Sequence, residues 1–348
     1  MFYFRSQKEF VRTRVFYLYL ITVTLLSLTS CDPLKKGVVF YNAHEYQKAI
    51  DFFSQKIAEQ KYVKRSLLLR AYAHMNSGEY ELAEMDFDRL IMVSEIVYVY
   101  TFLNEAICCL YLGKVDKAAS FVKDAMRAEE ANAVAAMLRG FIYIYNEKYE
   151  DALRDINFAG KYMSYQGIRW CDRSCIGYYK ALLYNKLGRL EDAVDQFNSL
   201  QKSGKEFEYN YYALGCCYLK NRQKEAANKY FKLCIDSTAK NSIEVFKAKI
   251  RLGYPPDSML TAGMPPDSVI LNDTAVSEAY RHYNLACYYS LKKDYEKSVS
   301  YLAQAFEKNF FGLVYIRLDY DIEELNKYYD LNKLYLSHGK KIVVFKNY

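Results

Sequence analysis

The chain has 348 residues, 52% hydrophobic and 26% charged, with 48 basic against 41 acidic side chains and a formal net charge of +7. These values lie near globular averages and exclude both a disordered tail protein and a multi-span membrane protein. Three counts stand out, 37 Tyr, 9 Cys and only 5 Pro beside 14 Gly; so little turn chemistry disfavours a fold of many short strands and favours helices.

The first thirty residues read as an address. Arg5, Lys8, Arg12 and Arg14 stand against a single acid, Glu9, and an apolar run from Val15 to Leu28 follows. At ~1.5 Å per residue that run is shorter than the ~30 Å core of a bilayer, so it reads as the apolar region of a signal peptide. It ends in Leu28-Thr29-Ser30-Cys31, which resembles the lipobox of bacterial lipoproteins. The resemblance implies that residues 1–30 are a signal peptide cleaved before Cys31, and that Cys31 carries the lipid. An ordinary signal peptide, or an uncleaved anchor with an incidental cysteine, is the alternative. Residues 31–36 are then a tether of roughly 20 Å at most. Loss of four bases and one acid lowers the net charge to +4, too small a surplus to track nucleic acid. The expected location is the cell envelope, the outer membrane in preference to the inner. Asp32 leaves that choice open, because an Asp after the lipidated cysteine favours inner-membrane retention in enteric bacteria.

From residue 37 onward a pattern recurs: tyrosine, two residues, alanine, three residues, a large apolar residue. It is clearest in Tyr46-Ala49-Phe53, Tyr80-Ala83-Phe87 and Tyr149-Ala152-Ile156. Weaker copies centre on Ala118, Ala193, Ala227 and Ser298. Successive centres are 34, 35, 34, 41, 34 and 71 residues apart, one period or nearly two in all but the fourth interval. Twelve residues before each centre stands a small residue: Gly37, Ala71, Ala106, Gly140, Ala181, Gly215 or Ala286. Nine before it most copies carry a ring (Phe40, His74, Tyr143, Tyr184, Tyr218, Tyr289), and five before it three copies carry glycine (Gly78, Gly113, Gly188). Each unit therefore predicts a helical hairpin, closely approached at the small residues and ended at the glycine. One hairpin cannot bury its own apolar face, so neighbours must stack.

These units, including Leu214-Gly215-Cys216-Cys217-Tyr218 and Tyr295-Glu296-Lys297-Ser298, resemble tetratricopeptide repeats. The resemblance implies an all-α fold, a right-handed α-solenoid of helical hairpins with a C-terminal capping helix. The array occupies 37–240 and a last repeat 279–307; the closing proline frequent in the family is absent, and Ser298 replaces its alanine. Residues 241–278 hold a predicted helix near Ile243–Leu252 and then Pro255-Pro256-Asp257 and Pro265-Pro266-Asp267, read as a loop over 253–275 projecting from the array. Residues 308–348 are the cap and tail. Asp319, Asp321, Glu323 and Glu324 are expected at a helix start, where acids complement the dipole. Lys340–Phe345 reads as a short strand or a disordered tail.

No motif carries chemistry. His44, His74, His282 and His338 form no HExxH or close ligand set, and no phosphate-binding or nucleophile-elbow sequence occurs. The expectation is a non-enzyme without cofactor or metal. Cys108, Cys109, Cys216, Cys217, Cys234 and Cys287 fall on predicted helices as small apolar residues, while Cys171 and Cys175, after the lone Trp170, are the candidate disulfide. Family groove positions carried onto this sequence give Leu68, Tyr72, Tyr100, Leu103, Ile107, Tyr111, Met137, Phe141, Tyr145, Tyr178, Leu182, Tyr209, Tyr212, Tyr280 and Tyr283, with superhelical packing or the chain's own C-terminal helix as competing occupants. Rings and aliphatics replace the lysines and asparagines of carboxylate-clamping relatives. The leading functional reading is a membrane-tethered scaffold or adaptor that binds segments of other envelope proteins in this groove. A glycan- or nutrient-binding outer-membrane lipoprotein is the alternative.

Overall fold

The computed structural model describes residues 32–166, 173–202, 209–238, 242–255, 266–273, 276–308 and 313–338, and every regular element among them is helical. The chain divides into two compact units: residues 1–138 with 158–169, and residues 139–157 with 170–348. The first holds α1 (Lys35–Asn42), α2 (Tyr46–Ala58), α3 (Val63–Ser77), α4 (Tyr80–Val93), α5 (Val99–Tyr111) and α6 (Val115–Ala128), each packed on the next. Helices α7 (Ala133–Tyr145) and α8 (Tyr149–Gln166) contribute to both units. The second holds α9 (Arg173–Lys186), α10 (Leu190–Lys202), α11 (Tyr209–Lys220), α12 (Lys224–Ser237), α13 (Ile243–Arg251), α14 (Pro266–Leu271), α15 (Glu278–Leu291) and α16 (Tyr295–Glu307). It ends with α17 (Leu313–Leu318), a 3-10 turn at Leu325–Lys327 and α18 (Leu331–His338). No helix among the described residues is long and apolar enough to cross a membrane.

The repeat centres are the tightest points of the core. Ala49, Ala83, Ala118, Ala152, Ala193, Ala227 and Ser298 are all fully buried. Ser298 keeps its hydroxyl satisfied there by donating to the Ala286 carbonyl at 2.7 Å, which is how a polar residue substitutes for alanine. The small residues opposite have a steric reason. A Cβ on Gly37 would lie 2.5 Å from Phe52 and 2.6 Å from Phe53, and one on Gly215 would lie 2.5 Å from Phe231. Two ion pairs repeat with the lattice: Arg70 forks onto Asp86 at 2.8 and 2.6 Å, and Arg139 onto Asp155 at 2.6 and 2.7 Å.

All seven hairpins turn alike. The residue five before each centre has positive φ whether or not it is glycine: His44, Gly78, Gly113, Glu147, Gly188, Arg222 and Lys293, from 58° to 80°. Each turn also closes with the same pair of backbone bonds, as in Gly78 N–H to Met75 O and Glu79 N–H to His74 O. This is the Schellman closure of a helix end. Glycine removes the strain of the left-handed conformation, yet these two bonds hold it even at Glu147 and Arg222.

Two expectations need correction. The loop over 253–275 does not project throughout, because a buried Pro266 opens α14, whose Val269 and Ile270 pack against Phe246, Leu285 and Tyr288. Proline suits a first helical position, where its missing N–H has no partner to lose. Gly253, Tyr254 and Pro255 are exposed, whereas 256–265 and 274–275 lie outside the described residues. The acids at 319–324 start no α-helix; residues 319–324 are irregular, Glu324 alone heads the 3-10 turn and pairs with Lys327, and the carboxylates of Asp319, Asp321 and Glu323 serve a different purpose. The end of the chain does cover the last hairpin: α18 packs on α16, with Tyr335 buried edge-on against Phe306 at 5.0 Å. Residues 340–345 lie outside the described residues.

Candidate interaction surface on the inner helices

In a stack of hairpins the first helix of each pair lines one face, and the expected groove residues sit there. In the first unit Leu103, Ile107, Tyr111 and Met137 are buried. Tyr111 stacks on Tyr80 with centroids 3.8 Å apart, and burial pushes the Tyr80 phenol up to about 12. Leu68 is half-buried and Tyr72 packs edge-on to Phe87, its hydroxyl accepting from Asn104 at 3.2 Å. Tyr100 is half exposed. Accessible surface on this face therefore concentrates at Leu68, Tyr72 and Tyr100.

The second unit covers this face differently. Tyr212 and Tyr283 are 5% and 3% exposed because the C-terminal segment lies on them. Tyr212 donates to Asp321 at 2.5 Å and Tyr283 to Asp319 at 2.6 Å. The Ser290 hydroxyl reaches the Asp321 carbonyl, and Cys217 Sγ lies 3.2 Å from the Tyr320 hydroxyl. Lys247 and Arg251 of α13 close on the Asp321 carboxylate at 2.8 and 3.1 Å. Lys186 and Lys220 both reach Glu323, at 3.1 and 3.2 Å. Ile316, Leu318, Ile322 and Leu325 bury alongside. As open groove residues Tyr212 and Tyr283 are thus corrected: the side chains of Asp321 and Asp319 of this same chain occupy them.

The remaining positions are packed in various ways. Phe141 is buried edge-on to Tyr179 at 5.0 Å, Leu182 is buried, and Tyr178 meets Phe197 at 6.0 Å. Arg317 lies over the Tyr145 ring at 5.8 Å while pairing with Glu147 at 2.7 Å. Tyr280 is half-buried, and the side chain of Tyr209 lies outside the description.

Electrostatics explain why so many charges bury together. Burial opposes the Asp321 carboxylate, but Lys247 and Arg251 outweigh it and hold its pKa below the usual range. Asp319, buried beside it and repelled by Asp321, is pushed upward. Lys247 is likewise opposed by burial and held well above its ordinary value chiefly by Asp321. A neighbouring pocket of ≈ 680 Å³ is lined by Lys186, Lys220, Lys327 and Arg317 together with Glu147, Glu323, Asp330, Tyr149, Tyr328 and Tyr329.

The first unit has its own buried charge cluster. Glu105 stands fully buried at a position where two other repeats carry arginine, with Lys117 at 3.5 Å. Its Oε2 makes no hydrogen bond. Burial, reinforced by Asp88, pushes it up to about 8. Glu84 beside it is held low despite burial by Lys114 and Lys117, at 2.5 and 2.7 Å. Glu84, Glu105 and Cys109 lie within 4.8 Å of one another, as do Cys287, Asp319 and Asp321; in both clusters protein ammonium or guanidinium groups lie against the carboxylates. Burial pushes the thiols of Cys108, Cys216 and Cys287 far up, so they pack as thiols. His74 is buried at its packing position, with Nδ1 2.8 Å from Glu79. Cys175 is disulfide-bonded; Cys171 and Cys31 lie outside the described residues.

A lattice of helical hairpins, with small residues in the crossings, rings beside them and one turn geometry throughout, defines an all-α solenoid of the tetratricopeptide type. The tetratricopeptide repeat family model matches residues 209–241 and 279–307. A tetratricopeptide repeat protein from Parabacteroides merdae superposes with a TM-score of 0.53 at 12% identity, over 82% of this chain and 97% of that one. Yeast Tom70 superposes with a TM-score of 0.52 at 12% identity, over 86% of this chain and 65% of that one. No curated protein matches the chain.

Proposed function

We propose that this protein is a non-catalytic interaction scaffold of the bacterial cell envelope, tethered by a lipid on Cys31, that binds partner polypeptides on its inner helices. Cys31 closes a lipobox-like sequence behind a basic stretch and an apolar run, which favours the anchor and the outer membrane as its site. Repeat hairpins supply a rigid, many-sided surface for holding other chains. The observation that carries the reading is the course of residues 316–325. Within it the irregular residues 319–324, bearing carboxylates and a tyrosine, lie on the inner helices of the second unit, gripped by Tyr212, Tyr283, Lys247 and Arg251. In the first unit the corresponding face keeps Leu68, Tyr72 and Tyr100 at its surface, with aromatic area and hydroxyl tips suited to a partner segment.

A photoreactive residue at position 100, irradiated in intact envelopes, tests this reading. The expected result is a discrete protein adduct, weakened by Tyr72→Ser, together with an acylated N-terminal Cys31 by mass spectrometry. An adduct with glycan alone, or none where position 77 gives one, overturns the inner-face assignment.

A further inference from the structure

The lipid-anchored reading raises the question of how the protein lies on its membrane, and the first unit answers it. Hairpins alternate direction, so the starts of α1, α3 and α5 and the ends of α2 and α4 share one edge. A direct contact ties the anchor end to it. Arg65, in the first turn of α3, forks onto Asp32 at 3.2 and 2.7 Å. Asp32 also accepts from the Leu34 N–H at 3.0 Å, and Leu34 is fully buried. Residue 32 is therefore clamped onto the repeat, and residue 31 follows it within one peptide, ~3.8 Å between Cα atoms. Whatever membrane group position 31 bears leaves the protein from this edge.

The same edge is unusually apolar. Of the twelve large hydrophobic side chains standing exposed among the described residues, six lie here: Tyr62, Met92, Val93, Ile96, Tyr98 and Tyr100. Met92 is 85% exposed, and Ile96 and Tyr98 are each 76% exposed. Such a cluster is costly in water and marks a contact surface. Tyrosine is the ring suited to the headgroup layer, with an apolar body and a polar tip. From α1 to the start of α5 this edge also carries Lys35, Lys36, Lys61, Lys64 and Arg65, against Asp32, Glu59 and Glu95, so basic groups outnumber acids where anionic headgroups would sit.

We propose that this edge of the first unit lies against the lipid surface, Tyr62, Met92, Ile96 and Tyr98 entering the interface beside the anchor while the lysines meet anionic headgroups. The inference rests on the lipid-anchor reading and adds an orientation to it. The array is laid down on the bilayer by two adjacent attachments instead of swinging from a flexible tether.

The test uses the full chain made in a lipoprotein-processing bacterium, with a benzophenone amino acid at position 62, 96 or 98, or at 43 or 77 on the opposite edge. Each protein is reconstituted in phosphatidylethanolamine–phosphatidylglycerol vesicles containing tritiated lipid and irradiated. The expected result is lipid label at 62, 96 and 98 several-fold above that at 43 and 77. The triple variant Met92→Ser, Ile96→Ser, Tyr98→Ser should melt as the parent does and lose several-fold of the label at position 62. A modified Cys31 with even labelling of both edges overturns this inference alone; an unmodified Cys31 overturns the anchor and this inference with it. A dimer-sized adduct at 96 or 98 assigns the edge to a second copy and also overturns the proposal.

Discussion

The inner helices of both units carry aromatic and aliphatic side chains on one face, and the two faces end in different states. In the first unit the aromatic face keeps Tyr72 and Tyr100 at its surface. In the second, Tyr212 and Tyr283 are sealed beneath residues 316–325, and their hydroxyls spend themselves on Asp321 and Asp319. The difference teaches that a groove position alone does not decide whether its residue is available: packing within the repeats buries Leu103 and Met137, and in the second unit the segment around Asp319 and Asp321 covers Tyr212 and Tyr283. The second unit uses this face for its own packing, through one buried aspartate held by Lys247 and Arg251.

That contrast can be broken most forcefully at Asp321. Asp321→Ala leaves Lys247 and Arg251 without their buried partner, a loss of about 3–5 kcal/mol, and urea unfolding followed by hydrogen exchange should find it in the second unit while protection in α1–α6 is retained. A smaller, shared effect is expected where both units use one device. Gly37→Ala and Gly215→Ala should each cost about 1–3 kcal/mol in thermal melts, the collision with Phe52 and Phe53 or with Phe231 outweighing the roughly 0.5–1 kcal/mol that alanine gains in a helix; a stabilised Gly215→Ala would show that the second unit is less tightly packed than the first.

The third prediction belongs to the first unit alone. Glu105 has its pKa raised to about 8, above the value of a carboxyl in an unfolded chain. Between the unfolded value and about 8 the folded state binds more protons, so its stabilising contribution is full at acid pH and lost as pH rises through that window. Denaturation midpoints of the parent should fall from pH 5 to pH 8, and Glu105→Gln should flatten that slope. The smallest effect is at the open face: Tyr100→Ser should shift stability by no more than about 0.5 kcal/mol while reducing partner adducts at position 72.

Much of the lattice was legible because packing repeats. The centres Ala49 to Ser298 and the small residues opposite them are spaced by geometry, and geometry leaves a period in the sequence. The seven left-handed turns were legible only where glycine filled them; His44, Glu147, Arg222 and Lys293 adopt the same conformation with no local signal, because the bonds that enforce it are made by backbone. The inner-face filling was harder still. Nothing near Tyr212 in sequence names Asp321, 109 residues away, and the acids at 319–323 look equally suited to a helix start. Val269 and Ile270 carried the signal for α14, hidden beside prolines that read as loop.

The C-terminal stitch has a consequence for the order in which the molecule is made. Repeat stacks ordinarily fold by neighbour contacts, each hairpin adding to the last. Here Glu147, Lys186, Tyr212 and Lys220 must wait for Arg317, Glu323 and Asp321, across separations that run from 103 residues for Lys220–Glu323 to 170 for Arg317–Glu147. Long-range closure slows folding. On a chain that emerges N-terminus first, α1–α6 can reach their final packing early, while the second unit stays unfinished until residues 317–323 have been made.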